Sequence, residues 1–227
     1  MPPRKAEPVN QEYELKAKNL LKGELKRKGV TYRDLAEKLE AIGVNRFRGQ
    51  SQDLGFRNLF GGQVLGQSLS AAIQTLTEGD WAPHSLHAYF LRPGTVTDSV
   101  EFEVEVLRDG RSFATRQVKA SQNGKAILTM MCSFQHPEAG FEHQNPMPDI
   151  KGPEGIPSQL ELARMFRDYF PERVRDIYTA DQPIEIRVLD PVNIFAPQKK
   201  EPVKYAWMKA DAPMGDNPNV HATMLAY

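Results

Sequence analysis

Three adjacent residues, Gly61, Gly62 and Gln63, open a stretch of sequence that could polarise a carbonyl group. From Gly61 to Thr77 the chain carries no charge, and its apolar residues recur at helical spacing. The first backbone N–H groups of a helix lack partners within it and lie at the positive end of its dipole. Those of Gly61, Gly62 and Gln63 could therefore stabilise a developing oxyanion. Alternatively, the glycines only let the sheet approach the helix closely.

His87 is the second residue that could take part in chemistry. It shares one face of a predicted strand with Tyr89, and imidazole titrates near neutral pH, so it could line a pocket or act as a base. A structural histidine is the alternative interpretation. Cys132 alternates with Met130 and Phe134, which is typical of a small core residue rather than a nucleophile.

Other hydrolytic chemistries lack their motifs here. The sequence contains neither G-x-S-x-G nor H-E-x-x-H, which argues against a serine or zinc hydrolase. A single cysteine excludes an internal disulfide framework and a cysteine-based zinc site, and favours a reducing compartment. We expect no metal, no cofactor, no membrane insertion and a cytoplasmic location. Four arginines could meet phosphate groups, remain solvated or pair with strand carboxylates: Arg92, Arg108, Arg111 and Arg116.

The elements that must position these residues are one buried helix and several strands. After the helix, His84 to Leu91 is a strand candidate, and Val100 to Val106 alternates valine and phenylalanine with glutamate. Asp109-Gly110 and Asn123-Gly124 both predict type I′ hairpin turns leading into two further strands. This order predicts an α+β fold in which an antiparallel sheet wraps around a central helix, the hotdog fold.

A linker and a second unit follow. Residues 137–182 are rich in proline and glycine at their start, and Ser158 can cap a short helix that extends to Tyr169. The second unit occupies residues 183–227. Its predicted elements are a strand at Ile184 to Val188, another at Val203 to Trp207, and a helix containing Val220, Met224 and Leu225.

The front of the chain, residues 1–46, is predicted to be a helical extension. One helix is expected from Gln11 to Lys28, and a second from Thr31, with Leu39 and Ile42 on its apolar face, ending at Gly43. Residues 1–48 hold 12 basic and 7 acidic side chains, although the whole chain balances 29 against 29. The segment KGELKRKGVTYRDLAEKLEAIGV resembles a small bacterial domain of helix-turn-helix character and unknown function.

Nucleic acid is not an expected partner of this extension. A DNA-binding motif would need a recognition helix after Gly43, and the chain runs instead into Arg46 to Gln50. A non-catalytic ligand-binding regulator, in which the basic front segment contacts nucleic acid or a partner, remains the alternative function.

Four long motifs in order carry a family resemblance from Phe47 to Tyr227. They are FRGQSQDLGFRNLFGGQVLGQSLSAA, HSLHAYFLRPG, LRDGRSFATRQVKASQNGK and SFQHPEAGFEHQ, and they resemble bacterial type II acyl-CoA thioesterases, the TesB family. The resemblance implies a double hotdog that hydrolyses fatty acyl-CoA to free fatty acid and CoA. Residues 47–136 would then form a complete first hotdog, and residues 183–227 the start of an incomplete second one.

The resemblance also bears on catalysis. In the family an Asp, a Ser or Thr and a Gln of the second hotdog hold the attacking water, and the Asp follows shortly after the segment that matches His221 to Tyr227. We therefore assign no catalytic residue within the sequence and expect a chain truncated before them to be weakly active or inactive alone. The candidate substrate-binding residues are Gly61, Gly62, Gln63 and His87, and a homo-oligomer through the hotdog sheets is possible.

Overall fold

The computed structural model describes residues 38–192, 198–210 and 212–227. The predicted helix from Gln11 to Lys28, and the start of the second one, lie outside these ranges. None of the described helices is long and apolar enough to cross a membrane.

The first described element is a strand rather than the end of a helix. Strand β1 (Glu40–Gly43) pairs antiparallel with β2 (Arg46–Gly49), and Asn45 between them has a φ of 53°. The predicted helix is therefore wrong over residues 40–43. Its apolar spacing fitted a helix, but β2 pairs with Glu40, Ala41 and Gly43, and such pairing overrides local propensity.

Six strands form one antiparallel sheet in the order β1-β2-β4-β5-β6-β3. Helix α1 (Gly61–Ile73) packs on its concave face, as the uncharged sequence predicted, and nine of its thirteen residues are buried. The alternation of β4 is confirmed from Val100 to Val104, whose apolar side chains lie in the core, but not at Val106, which is exposed. The α+β hotdog prediction is thus confirmed, with the remaining strands at β3 (Ala82–Phe90), β4 (Val100–Asp109), β5 (Phe113–Gln122) and β6 (Lys125–Gln135).

The two predicted hairpin turns have different outcomes. Asn123 and Gly124 have φ values of 49° and 74°, as a type I′ turn requires, so this prediction is confirmed. The prediction at Asp109-Gly110 is wrong. There, residues 110–112 connect β4 to β5, Gly110 does not adopt a positive φ, and its N–H donates to the Phe113 carbonyl at 2.8 Å.

The linker begins irregularly and then becomes helical. Helix α2 (Gln159–Met165) starts at a capping box in which Ser158 and Glu161 exchange side-chain and backbone hydrogen bonds, as predicted. Because Glu161 accepts the Ser158 N–H, the pKa of its carboxyl is lowered. A 3₁₀-helix and a helix that the sequence analysis did not predict, α3 (Glu172–Thr179), complete the linker.

The second unit contains two strands and a helix. Strand β7 (Ile184–Val188) forms where it was predicted, whereas β8 (Ala206–Ala210) begins later than expected, leaving Val203 and Tyr205 exposed before it. Helix α4 (Pro218–Ala226) is capped by Asn217. It buries Val220 and Met224, but Leu225 points to solvent with 89% of its surface exposed.

Candidate functional site

The N-terminus of α1 has no side-chain cap and no acidic residue beside its first backbone N–H groups. Phe60 is the residue before the helix. The first α-helical hydrogen bond runs from the Val64 N–H to the Phe60 carbonyl at 3.4 Å. The N–H groups of Gly61, Gly62 and Gln63 precede it, so they lie at the positive helix end where an anion is stabilised.

Gly61 and Gly62 each allow a different close approach. A β-carbon at Gly61 would lie 3.0 Å from the Phe90 ring at the end of β3, whereas one at Gly62 would collide with the Tyr227 carbonyl oxygen. A β-carbon at Gly66 would lie 3.2 Å from the Thr223 carbonyl oxygen. A β-carbon at Gly61 would therefore require only a small shift of the Phe90 ring, whereas Gly62 and Gly66 face backbone atoms of helix α4 and its end.

The Gln63 side chain is hydrogen-bonded to the loop that follows β2. It is 1% exposed, its Nε2 donates to the Gln50 carbonyl at 2.6 Å, and its Oε1 accepts the Gln52 N–H at 3.1 Å. Gln67 donates to the same Gln50 carbonyl at 3.1 Å. Both side chains thus hold the loop against α1, and a substrate could use only the backbone N–H of Gln63 without breaking these bonds.

A cavity of about 410 Å³ opens beside the first turn of α1. Its inner walls are buried apolar side chains, among them Leu59, Val64 and Ile127, and its mouth has exposed residues, including Phe90 and Arg92. An apolar chain fits such walls, while a polar head can remain at the mouth. The lining comprises Asn58, Leu59, Gly61, Val64, Phe90, Leu91, Arg92, Pro93, Gly94 and Ile127.

His87 lies away from this cavity. It is exposed on the outer face of the sheet, where its ring makes an edge contact with Tyr89 at 4.8 Å between ring centroids and its backbone pairs with Met131. Its strand neighbours Leu86 and Ala88 pack on the core instead. The structure therefore does not bring His87 together with Gly61, Gly62 and Gln63, and a role for it in substrate binding stays a prediction.

Arg116 has a structural position that the sequence did not indicate. It is fully buried and donates to the Thr75 hydroxyl at 2.8 Å and the Thr75 carbonyl at 3.1 Å, just past the end of α1. Its Nη2 also lies 2.6 Å from the Asp109 carboxylate. Among the alternatives left open for the arginines, the structure selects ion pairing for Arg116, which joins the helix end to the β4–β5 connection.

Cys132 is a core residue, as predicted. Burial raises the pKa of its thiol to about 12, outweighing the opposing effect of the nearby Arg116 charge. The neutral thiol points at the Arg116 carbonyl, 3.8 Å away. A thiol that stays protonated is a poor nucleophile. Over the described ranges, no group of three or more His, Cys, Asp or Glu residues could hold a metal ion.

A buried polar cluster around Gln122 was missed by the sequence analysis. The Gln122 amide donates to the Thr95 and Asp98 carbonyls at 3.0 and 2.7 Å and accepts the Thr95 N–H at 2.8 Å, and Ser51 also donates to the Asp98 carbonyl. These bonds hold the β3–β4 loop, which carries Gly94 of the cavity wall. Gln122 lies on the same inward face of β5 as Val118. An amide at such a position was the signal in the sequence for a buried polar cluster.

Together, the sheet wrapped around a helix and the uncapped helix end beside a cavity agree with a hotdog protein of the thioesterase class. The family described as "Acyl-CoA thioesterase N-terminal domain" matches residues 50–135. A family described as a domain of unknown function matches residues 13–50, where the sequence analysis noted a resemblance to such a domain.

Individual relatives agree with this class. The chain is 41% identical to acyl-CoA thioesterase 2 of Haemophilus influenzae over 190 residues, covering 84% of this chain and 66% of the relative. It is 34% identical to human acyl-coenzyme A thioesterase 8, covering 83% and 61%. A crystal structure of acyl-CoA thioesterase II TesB2 from Mycobacterium marinum matches with a TM-score of 0.64 and 33% identity, covering 86% of this chain and 66% of that one.

The chain belongs to the acyl-CoA thioesterase II (TesB) family. It spans slightly less than two thirds of the length of the Haemophilus relative and 61% of the human one.

Proposed function

We propose that this protein serves the hydrolysis of fatty acyl-CoA to free fatty acid and CoA, with the thioester carbonyl bound at the first turn of α1. The observation that carries the proposal is the uncapped, uncharged start of α1 opening directly into an apolar cavity of about 410 Å³. Family membership supports the same reaction, and the alternative of a nucleic-acid-binding regulator has no comparable support.

Thioester hydrolysis requires hydrogen-bond donors that stabilise an oxyanion, and the start of α1 is the proposed source of these donors. Water adds to the carbonyl carbon, the carbonyl oxygen becomes an oxyanion, and the C–S bond then breaks as the CoA sulfur takes up a proton. Backbone N–H donors aimed at the oxyanion stabilise the transition state more than the ground state. The N–H groups of Gly61, Gly62 and Gln63 are suited to this role because they lie ahead of the first helical hydrogen bond.

The contact between α1 and α4 supports the same location for the attacking water. The family's water-binding Asp follows shortly after the segment that matches His221 to Tyr227, and α4 brings Tyr227 against Gly62. An aspartate at that place would enter the site beside the helix donors. We assign no catalytic side chain within the described residues.

Location and assembly are parts of the proposal. A cytoplasmic location is consistent with a single buried, free cysteine. Self-association through the outer face of the sheet is favoured by its exposed apolar side chains, Tyr89, Phe113 and Met131.

Two measurements on the chain as given test the proposed function. Release of CoA thiol from dodecanoyl-CoA reports turnover, and calorimetry with a ketone analogue, in which CH₂ replaces the thioester sulfur, reports binding. We expect saturable binding of the ketone analogue. Absence of analogue binding would contradict the proposed carbonyl site, and absence of CoA release would count against hydrolysis.

A further inference from the structure

Arg92 lies at the mouth of the cavity and is held there by both its backbone and its side chain. The N–H groups of Leu91 and Arg92 donate to the Ile127 carbonyl at 2.8 and 3.3 Å. The guanidinium Nη1 donates to the Ala126 carbonyl at 2.8 Å. Because the side chain is already restrained, a ligand that binds it loses little additional rotamer entropy.

The charge of Arg92 is not neutralised by the protein. Arg92 is exposed and forms no ion pair with any carboxylate in the described part of the chain. Its bond to Ala126 uses one of five guanidinium hydrogens, and the remaining planar donors match two oxygens of a phosphate.

Two other cations are adjacent in sequence to residues of the cavity lining or to a partner of Arg92. Arg57 directly precedes Asn58 of the cavity lining, and Lys125 directly precedes Ala126. Both are exposed. The Asp98 carboxylate accepts hydrogen bonds from the Thr95 hydroxyl at 2.8 Å and the Asn123 amide at 3.0 Å. Arg92 is thus an exposed cation at the mouth of a pocket that has buried apolar walls.

The other arginines considered as phosphate ligands lie elsewhere. Arg108 and Arg111 belong to the β4–β5 end of the sheet, because Phe113 pairs with Gln135, whereas Phe90 at the cavity pairs with Leu128 near the start of β6. Arg116 is buried and already bound. Of these four, only Arg92 shares an end of the sheet with the α1 donors.

We propose that Arg92 binds a phosphate of the CoA moiety and so selects phosphate-bearing thioesters over shorter pantetheine thioesters. This inference rests on the proposed function, because it takes acyl-CoA as the ligand of the cavity. Arg92 would act as a binding and specificity residue that contacts the CoA moiety rather than the bond that breaks.

The test compares two ketone analogues on the full chain, one built on dodecanoyl-CoA and one on dodecanoyl-pantetheine, which lacks every phosphate. Calorimetry measures their Kd values for wild type, Arg92→Gln and Arg111→Gln, an exposed arginine at the opposite end of the sheet. We expect Arg92→Gln to weaken the CoA analogue about tenfold at low salt, as loss of a charged hydrogen bond predicts, without changing the pantetheine analogue. Arg111→Gln should match wild type.

Several results would overturn the assignment. If wild type binds both analogues with equal Kd, or if Arg92→Gln raises both Kd values alike, Arg92 does not recognise the phosphates. The proposed function would still stand. If inorganic phosphate competes as well as adenosine 3′,5′-bisphosphate, the site recognises free phosphate instead of CoA. Arg92-dependent binding of the CoA analogue without any CoA release from dodecanoyl-CoA would support the inference and count against hydrolysis. Failure to bind either analogue would overturn both.

Discussion

The Tyr227 carbonyl oxygen lies so close to Gly62 that a β-carbon at this position would collide with it. This contact joins the C-terminal end of α4 to the first turn of α1, the part of the molecule that carries the proposed carbonyl donors. Gly62, whose backbone N–H is a proposed carbonyl donor, is therefore also required for the packing of α1 against the end of α4. A substitution at Gly61 or Gly62 can therefore change both ligand binding and the stability of the fold, and the two effects need separate measurements.

Substituting Gly62 by Ala should lower the free energy of unfolding. The new methyl group meets backbone rather than a flexible side chain, so α4 must shift, and overpacking of this kind costs about 1–3 kcal/mol. Urea denaturation measures the loss. Gly140→Ala is the matched control, since its β-carbon meets open space, and equal stability of the two variants would contradict the close helix contact.

Substituting Gly61 by Pro should remove one backbone donor while keeping the helix. Proline is tolerated at the first helical position, and Phe60 has the extended conformation, with ψ of 125°, that a residue before proline prefers. Loss of one hydrogen bond predicts roughly tenfold weaker binding of the ketone analogue.

Gly61→Ala is the control for this experiment, because it adds a β-carbon near Phe90 but keeps the N–H. Similar affinities of the alanine and proline variants would show that the Gly61 donor does not bind the carbonyl.

Arg116→Met should destabilise the fold strongly. Its removal leaves the Thr75 carbonyl and hydroxyl and the Asp109 carboxylate without their guanidinium partner, which predicts a loss of about 2–4 kcal/mol. Lys119→Met, which removes an exposed pair with Glu103, should cost under about 1 kcal/mol. Chemical denaturation compares the two, and a small effect at Arg116 would argue that the helix end is held by other contacts.

Cys132 should resist thiol reagents in the native state. With a pKa near 12 the thiol stays protonated at pH 8, and burial also denies access. A chromogenic disulfide should therefore label one thiol per chain in guanidinium chloride and almost none without it. Fast native labelling would contradict the burial.

The same pKa shift predicts a pH dependence of stability. Because the folded pKa is raised above the ordinary value of 9.0, the folded state retains a proton that the unfolded state releases between about pH 9 and 12. The contribution of Cys132 is fully present below pH 9 and falls as the pH rises. Cys132→Ala should lose this part of the alkaline destabilisation, which denaturation at pH 8 and pH 10.5 would reveal.

Self-association through the outer face of the sheet predicts sensitivity at Met131. This residue is 49% exposed beside His87, and Met131→Lys places a charge within the exposed apolar group. Sedimentation should show a shift toward smaller species. Met165→Lys, at an exposed position in α2, should not change the distribution, and a monomeric wild type would contradict the interface.

Much of the first hotdog could be predicted because its signals are local. The alternation from Val100 to Val104, the uncharged run after Gly61 and the turn at Asn123-Gly124 are each local to one element, and each was confirmed. The capping box at Ser158 is equally local. The helix predicted over residues 40–43 was wrong for the opposite reason, because these residues form a strand through pairing with β2.

By itself, the sequence determined the family, the central helix and the alternating strands, since motif order and side-chain periodicity are properties of the chain. Only the tertiary structure decided which charges are buried and which are available. Arg92, Arg111 and Arg116 are alike in sequence, yet pairing of the strands puts the first at the cavity, the second at the opposite end and the third in the core. The positions of these arginines depend on contacts between residues far apart in the chain, which no local sequence pattern can predict.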